Sequence, residues 1–498
     1  MRAARSVAML ALGCCWAAIL EELEVSLDGA PAYFDSVASD DTEALQTKAL
    51  AFTEAHGLAE DDAAALVRAT LAGRPAPVGL VGDVGDANPY ARLLWAGSRT
   101  MPFAYEVDEV ARARAAVDDG EVLVVHFHWL RTLPVAALEA WARWLRRPRG
   151  AVVVAWTVHN VVEHDATGAR RRAELDLRAE LAARADLVHV MCACDLPYAL
   201  PGDARIIPHG SYVGSLAPVS AADLTSDRTA VRRQMGLPPD ATVVVAFGRM
   251  RWYKGLSTLV EAFAASSNAD LWLWVVGTPA EDYDLEADLA ALPLERRRRV
   301  VTLAADVADA SLGGVFAAAD AAFFGHMGPS ALNSGAAHLA LSFGCPVVLR
   351  NVACLADLAR RAAASPCAAE HAPFAASFDD GPRALDEVAG LASATARRGA
   401  RCFAERFTMA DAAAAFRRAL VEKVAERAQG ATVRPAARWV AGLPRSGTNY
   451  VAAVVGGALT GRDAHGERHY LHEPLNVDAR DACTAYRRGD VTGHYAWD

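Results

Sequence analysis

The sequence predicts an α/β protein: two doubly wound parallel-sheet domains facing each other across a cleft, with a partial third α/β unit at the C-terminus. Three observations predict it. The chain has 498 residues, beyond the length at which a single core keeps growing. Apolar runs such as VLVVHFH (122–128) and TVVVAFG (242–248) lack period-two alternation, as expected for parallel strands covered on both faces. Amphipathic helical stretches alternate with these runs, the pattern of a doubly wound fold.

The elements follow in order. Arg2 and Arg5 precede an apolar run from Ser6 to Leu20. That run is short for a membrane span of about 20 residues and suits the core of a signal peptide. Residues 1–22 are therefore expected to be a signal peptide or short signal anchor, with possible membrane association through this end. A signal places the protein in the secretory pathway or Golgi lumen; a buried Ala/Leu helix, the other reading, leaves it cytoplasmic. Residues 23–74 read as a small appended module without an assigned function. In it, ELEVSL and PAYF flank the Asp28-Gly29 turn signal of a hairpin, and helical patterning runs from Asp40 to Leu71.

Residues 75–212 hold the first strand–helix set. Strands are expected at 78–82, 122–128, 151–158 and 186–193, and helices at 133–147 and 169–185. A Pro/Gly/Ser-containing segment, roughly 207–227, is the natural hinge. Residues 213–430 hold the second set, with strands at 242–248, 271–277, 299–304, 321–325 and 346–349 and a helical tail at 403–429. A linker at 430–436 leads into a new strand–loop–helix in the segment 437–498.

Composition excludes some functions. A net charge of -10 argues against nucleic-acid binding, which calls for a basic face. The basic run Arg296–Arg299 reads as a solvated helix end. Nine cysteines are scattered and imply no disulfide framework. Cys192-x-Cys194 has no second pair at zinc spacing, and no Asp-x-Asp stands at a strand end in either set, so no metal is expected.

Candidate site residues cluster where strands end. Gly248, Arg249, Lys254 and Gly255 follow the strand 242–248. Arginine grips phosphate bidentately, lysine supplies a mobile point charge, and glycine admits close backbone approach. Asn333, Ser334 and Gly335 open a helix whose N–H groups and dipole favour an anion. His159 sits just past the strand 151–158, where open α/β sheets place ligand contacts. His164 and Asp165 follow it. His126 and His128 are read as facing opposite sides of their strand, with at least one structural.

Five motifs occur in order: VVHFHWL (124–130), TVHNVVEHD (157–165), IIPHGSY (206–212), FGRMRWYKGL (247–256) and LNSGAAHLALSFGCPVV (332–348). The set, with NPYARLLW (88–95), resembles GT-B-fold glycosyltransferases of the family 4 kind, over about residues 78–428. The resemblance implies two Rossmann-like domains and transfer of a sugar, with retention, from a UDP- or GDP-sugar to a glycan, lipid-linked or small acceptor. It puts Arg249 and Lys254 at the diphosphate, and Gly248, Gly255, Asn333, Ser334 and Gly335 around the donor. It makes His159 an active-site contact and puts Asn88, Tyr90 and His164 on the acceptor side. No metal or cofactor beyond the donor is implied. The chain departs from the family pattern at two Glu with seven residues between them, here Ala331 and Leu339. That departure keeps a non-catalytic nucleotide-sugar-binding or scaffold role open; a sugar-nucleotide epimerase on the same fold is the other alternative.

WVAGLPRSGTNYVAAVVGGAL (439–459) departs from the Walker pattern and resembles the 5′-phosphosulfate loop of sulfotransferases. There Arg445, Ser446, Gly447, Thr448 and Asn449 would wrap a phosphate of the sulfate donor PAPS. LHEPLN (471–476) is similar to a segment that follows in such domains. Too few residues follow for a full domain, so a truncated or vestigial unit is expected.

Overall fold

In the computed structural model the described residues are 42–55, 76–82, 89–118, 121–130, 133–160, 167–192, 204–224, 227–327, 333–379, 381–386 and 388–428, with the backbone segments 4–6, 20–27, 30–37, 437–441 and 451–455. Strands β1 (Ala4–Ser6), β2 (Leu20–Leu27) and β3 (Ala30–Val37) form an antiparallel sheet. The expected hairpin is thus present in the backbone, and β2 begins at Leu20, inside the stretch read as a signal. A helix at Thr42–Ala55 follows.

Two six-stranded sheets come next. The first contains β4 (Ala76–Val81), β5 (Thr100–Pro102), β6 (Glu121–Phe127), β7 (Val153–Thr157), β8 (Leu187–Val190) and β9 (Arg205–Ile206). Its order is β5-β4-β6-β7-β8-β9, parallel throughout. The second contains β10 (Thr242–Phe247), β11 (Leu271–Val276), β12 (Val300–Leu303), β13 (Ala321–Phe324), β14 (Val347–Arg350) and β15 (Ala375–Phe378). Its order is β12-β11-β10-β13-β14-β15, also parallel. Both orders reverse direction once, between β4 and β6 and between β10 and β13. Ligands of open α/β sheets bind beyond the carboxyl ends of the strands at such reversals.

The continuous apolar runs are explained by what covers them. In β10, Val243 and Val245 enter one core while Val244 and Ala246 enter another. Each strand residue therefore needs an apolar side chain on either face. The helix Met409–Ala428 returns from the second domain to cover the first: Phe416, fully buried, stacks on His126 at 4.9 Å and meets Trp95 edge-on at 5.9 Å. The hinge segment is knitted to this return. Met409 N–H donates to the Ser211 carbonyl at 2.8 Å, and Ser211 N–H donates to the Phe407 carbonyl at 2.9 Å. Gly210 is required there, because a Cβ would sit 2.3 Å from the Thr408 carbonyl oxygen.

Two expectations are corrected. Val451–Val455 is strand β17, paired antiparallel with β16 (Ala437–Ala441), where a helix is expected; three valines in five residues favour the pleated surface. His126 and His128 share a face, with rings 4.0 Å apart, because side chains two positions apart on a strand point the same way. The run Arg296–Arg299 ends the helix Leu294–Arg297, as expected, with Arg297 and Arg298 exposed, while Arg296 lies over the Phe263 ring and donates to the Asn268 carbonyl at 3.0 Å. A disulfide, Cys367–Cys402, joins the helices Pro366–Glu370 and Ala394–Glu405.

Candidate functional site

The loops after β10 and β13 flank the reversal of the second sheet. Gly255, at φ 70°, packs so closely on the second loop that a Cβ would lie 2.1 Å from the Gly325 carbonyl oxygen. Met327 N–H donates to the Tyr253 carbonyl at 2.6 Å, so the two loops form one surface. A Cβ on Gly248 would stand 3.0 Å from Lys254 Nζ, which places the ammonium directly over the strand end. Arg249 is exposed beside it. Burial, then the neighbouring Arg251 and Arg249 charges, lower the Lys254 pKa to about 8. Neither Arg249 nor Lys254 has an ion-pair partner among the described residues. The recess that they line with Gly248 and His326 holds only about 10 Å³, roughly one water. A group larger than water bound here would therefore lie over the recess and not in it.

Ser334 caps the helix Gly335–Ser342, its hydroxyl accepting from Ala337 N–H at 3.4 Å. Asn333 is half-buried just before it. Leu339 is buried in that helix, which carries no carboxylate. The helix start faces the hinge. A Cβ on Gly335 would sit 3.0 Å from Tyr212 Oη and 3.5 Å from His209 Nε2.

From there a train of rings crosses to the first domain. His338 stacks on His209 at 4.6 Å, His209 lies 4.9 Å from Tyr90, and Tyr90 meets His159 edge-on at 5.1 Å. His159 is half-buried; it stacks on Trp129 at 4.0 Å and shares a 3.1 Å hydrogen bond with His128. Desolvation, chiefly, and nearby histidines hold the His159 pKa well below its usual range, and the His128 pKa is lowered to about 3. Both rings are neutral at neutral pH. His159 is thus a poor proton acceptor and a good hydrogen-bonding contact.

The His159 loop is held from behind. Arg178 donates to the Asn160 carbonyl at 2.7 Å, to Asn160 Oδ1 at 3.1 Å and to Glu174 at 2.8 Å, all buried. His126 belongs to a separate, fully directed chain. Trp95 Nε1 donates to His126 Nδ1 at 2.8 Å and His126 Nε2 donates to Thr157 at 2.9 Å. Thr157 donates to His189 Nδ1 at 3.1 Å, and His189 Nε2 donates to the Ile207 carbonyl at 2.9 Å. This chain leaves His126 structural.

The structure therefore brings Tyr90 and His159, through His209, to the hinge face of the Ser334–Gly335 helix start, and sets Gly248, Arg249, Lys254 and Gly255 on the loop after β10, packed against the loop after β13. Tyr90, placed on the acceptor side by the resemblance, is buried among these rings. Asn88, His164 and Arg445 to Asn449 lie outside the described residues. Trp129, His209, His338 and Arg178 were not expected in the site. The Arg178–Glu174 pair on an otherwise apolar helix face is the one of them with a sequence signal.

Residues 241–377 match the family model for glycosyl transferases group 1, a span that contains both candidate loops. A D-inositol 3-phosphate glycosyltransferase from Actinosynnema mirum is 30% identical over 194 residues, 34% of this chain and 42% of that protein. The chain thus spans less than half the length of that curated relative. Among solved structures, Anabaena HepE in complex with UDP is 17% identical with a TM-score of 0.49, covering 68% of this chain and 97% of that one. Sucrose-phosphate synthase from Thermosynechococcus elongatus is 18% identical with a TM-score of 0.46, covering 68% and 96%. The match to the family model thus falls on the second sheet and its loops.

Proposed function

We propose that the chain transfers a sugar, with retention, from a UDP- or GDP-linked donor to a hydroxyl of a glycan, lipid-linked or small acceptor. The observation that carries this reading is the pair of cations, Arg249 and Lys254, without ion-pair partners among the described residues at the sheet reversal. As the bond from sugar to phosphate breaks, negative charge grows on the leaving diphosphate. Fixed cations and a helix start aimed at it stabilise the transition state more than the ground state. Ser334 and the N–H groups of the Gly335–Ser342 helix supply the second set of donors. Leu339 gives no carboxylate to the donor sugar, so backbone and hydroxyl groups carry that contact. His159, neutral and backed by His128, positions the sugar or the acceptor, and the leaving phosphate takes the acceptor proton.

The full chain assayed against UDP- and GDP-sugars tests this. Donor turnover is expected, with kcat/KM lowered about 100-fold or more in Lys254→Ala and Arg249→Ala. Donor binding without turnover would favour a sugar-nucleotide-binding protein, and a product that remains nucleotide-linked would favour epimerisation. For residues 437–498 the PAPS-binding loop at Arg445 to Asn449 is a separate proposal supported by its motif, against which the β16–β17 hairpin stands. PAPS binding to the full chain, lost in Arg445→Ala, tests it.

A further inference from the structure

We propose that Cys192 and Cys354 are a redox modification site: a disulfide between them ties the two domains together across the cleft. Their sulfurs lie 2.8 Å apart, at positions separated by 162 in sequence. A bonded pair needs about 2.05 Å, so a shift of roughly 1 Å or less closes the bridge. Cys192 stands two residues past β8, and Cys354 is the second residue of the helix Ala353–Ala363, which follows β14. Each cysteine therefore sits beyond the carboxyl end of a parallel strand, one from each sheet. The pair bridges the two edges that form the cleft.

Two further observations mark the contact as built. Cys354 packs within the core of the first domain, together with Cys192 and Val190, although its helix belongs to the second. Ala353, immediately before it, holds φ at 40°, a left-handed conformation that a side chain adopts only under constraint. The hinge, by contrast, is tied by Ser211 and Met409. A covalent link at 192–354 would add a second tie on the cleft side and stop the domains from opening.

The chemistry balances with a small disulfide as oxidant, of the oxidised-glutathione class. In the open form the Cys192 thiolate attacks one sulfur of the oxidant, releasing one thiol and leaving a mixed disulfide. On closure the Cys354 thiolate displaces the second thiol and forms the protein S–S bond. Two thiol protons are lost, and the oxidant is reduced to two thiols. Both cysteines are buried when the domains are closed, so opening controls the rate.

The consequence for turnover rests on the proposed glycosyltransferase reading: a tied cleft slows donor entry and nucleotide release, so kcat falls on oxidation. The experiment treats the full chain with oxidised or reduced glutathione. Oxidation should remove two hydrogens beyond the Cys367–Cys402 bridge, link the peptides bearing Cys192 and Cys354, and raise Tm by several degrees. Cys192→Ser and Cys354→Ser should each abolish the link and the rise, while Cys194→Ser should retain both. Separate alkylation of the two cysteines after oxidation, or pairing of Cys192 with Cys194, would overturn the proposal. In the activity arm, kcat should fall at least several-fold on oxidation, recover with dithiothreitol, and stay constant in Cys354→Ser. A chain that cross-links but turns over no sugar nucleotide in either state refutes the transferase reading and leaves the disulfide standing.

Discussion

The charge on Lys254 is set by its surroundings. Burial and two neighbouring guanidinium groups lower its pKa to about 8, so the empty site loses this cation as pH rises through about 8, well before an ordinary lysine would. A bound diphosphate favours the charged form and restores it, so proton uptake accompanies donor binding at high pH. Donor KM is expected to rise between about pH 8 and 9.5 in the native chain. Lys254→Arg keeps its charge over this range, so its KM should stay flat, whatever its absolute value. Parallel KM profiles for the two proteins would show that Lys254 does not hold the diphosphate. The place of this residue at the strand end was legible in the sequence because it depends only on the strand that precedes it. The stack of His159 on Trp129 was not, since it depends on how two loops 30 residues apart pack.

At the level of elements, the central strands were legible and three edge strands were not. β5, β9 and β15 contain three, two and four residues and lie at the borders of their sheets. A border strand is covered less and needs no long apolar run, so its sequence carries little signal. The tail read as one helix is two, Ala394–Glu405 and Met409–Ala428, parted where the chain pairs with Ser211. The helix Gly168–Arg184 carries a buried pair, Glu174 and Arg178, that fixes Asn160 beside His159. Removing one partner leaves the other charge buried, so Arg178→Leu should destabilise by about 3–5 kcal/mol. The double change Glu174→Leu, Arg178→Leu should recover much of that loss, because a well-packed apolar pair often matches a buried ion pair. Its kcat should nonetheless remain about tenfold or more below native, since the His159 loop has lost its anchor. Full recovery of kcat along with stability would reduce the pair to packing.

The two domains meet along a seam of neutral histidines, and the seam ties the stability of the assembled chain to pH. Desolvation is the first cause of every shift. His189 and His209 are lowered to about 4 and His128 to about 3, while His126, His159 and His338 are lowered well below their usual range. The cations nearby act in the same sense: Arg178 on His159, and Arg361 on His209 and His338. In the unfolded chain each histidine takes up a proton near pH 6.5. Between about 6.5 and 4 the unfolded state therefore binds more protons than the folded one, and stability rises with pH. The contribution of His189 or His209 is fully present above about pH 6.5 and is lost as pH falls through 4, on the order of 3 kcal/mol each at most. Carboxylates act in the same direction, but mostly below pH 5, so the window from pH 5 to 6.5 reads the histidines. Denaturant unfolding there should show ΔG falling with a slope of more than one proton per chain, and His209→Gln should reduce that slope by up to one proton. A stability that is flat from pH 7 to 5 would mean that the seam histidines already carry protons in the folded chain, or that the domains part before the chain unfolds. Small-angle scattering across the same window separates the two: the radius of gyration stays constant if the seam holds and grows if it opens.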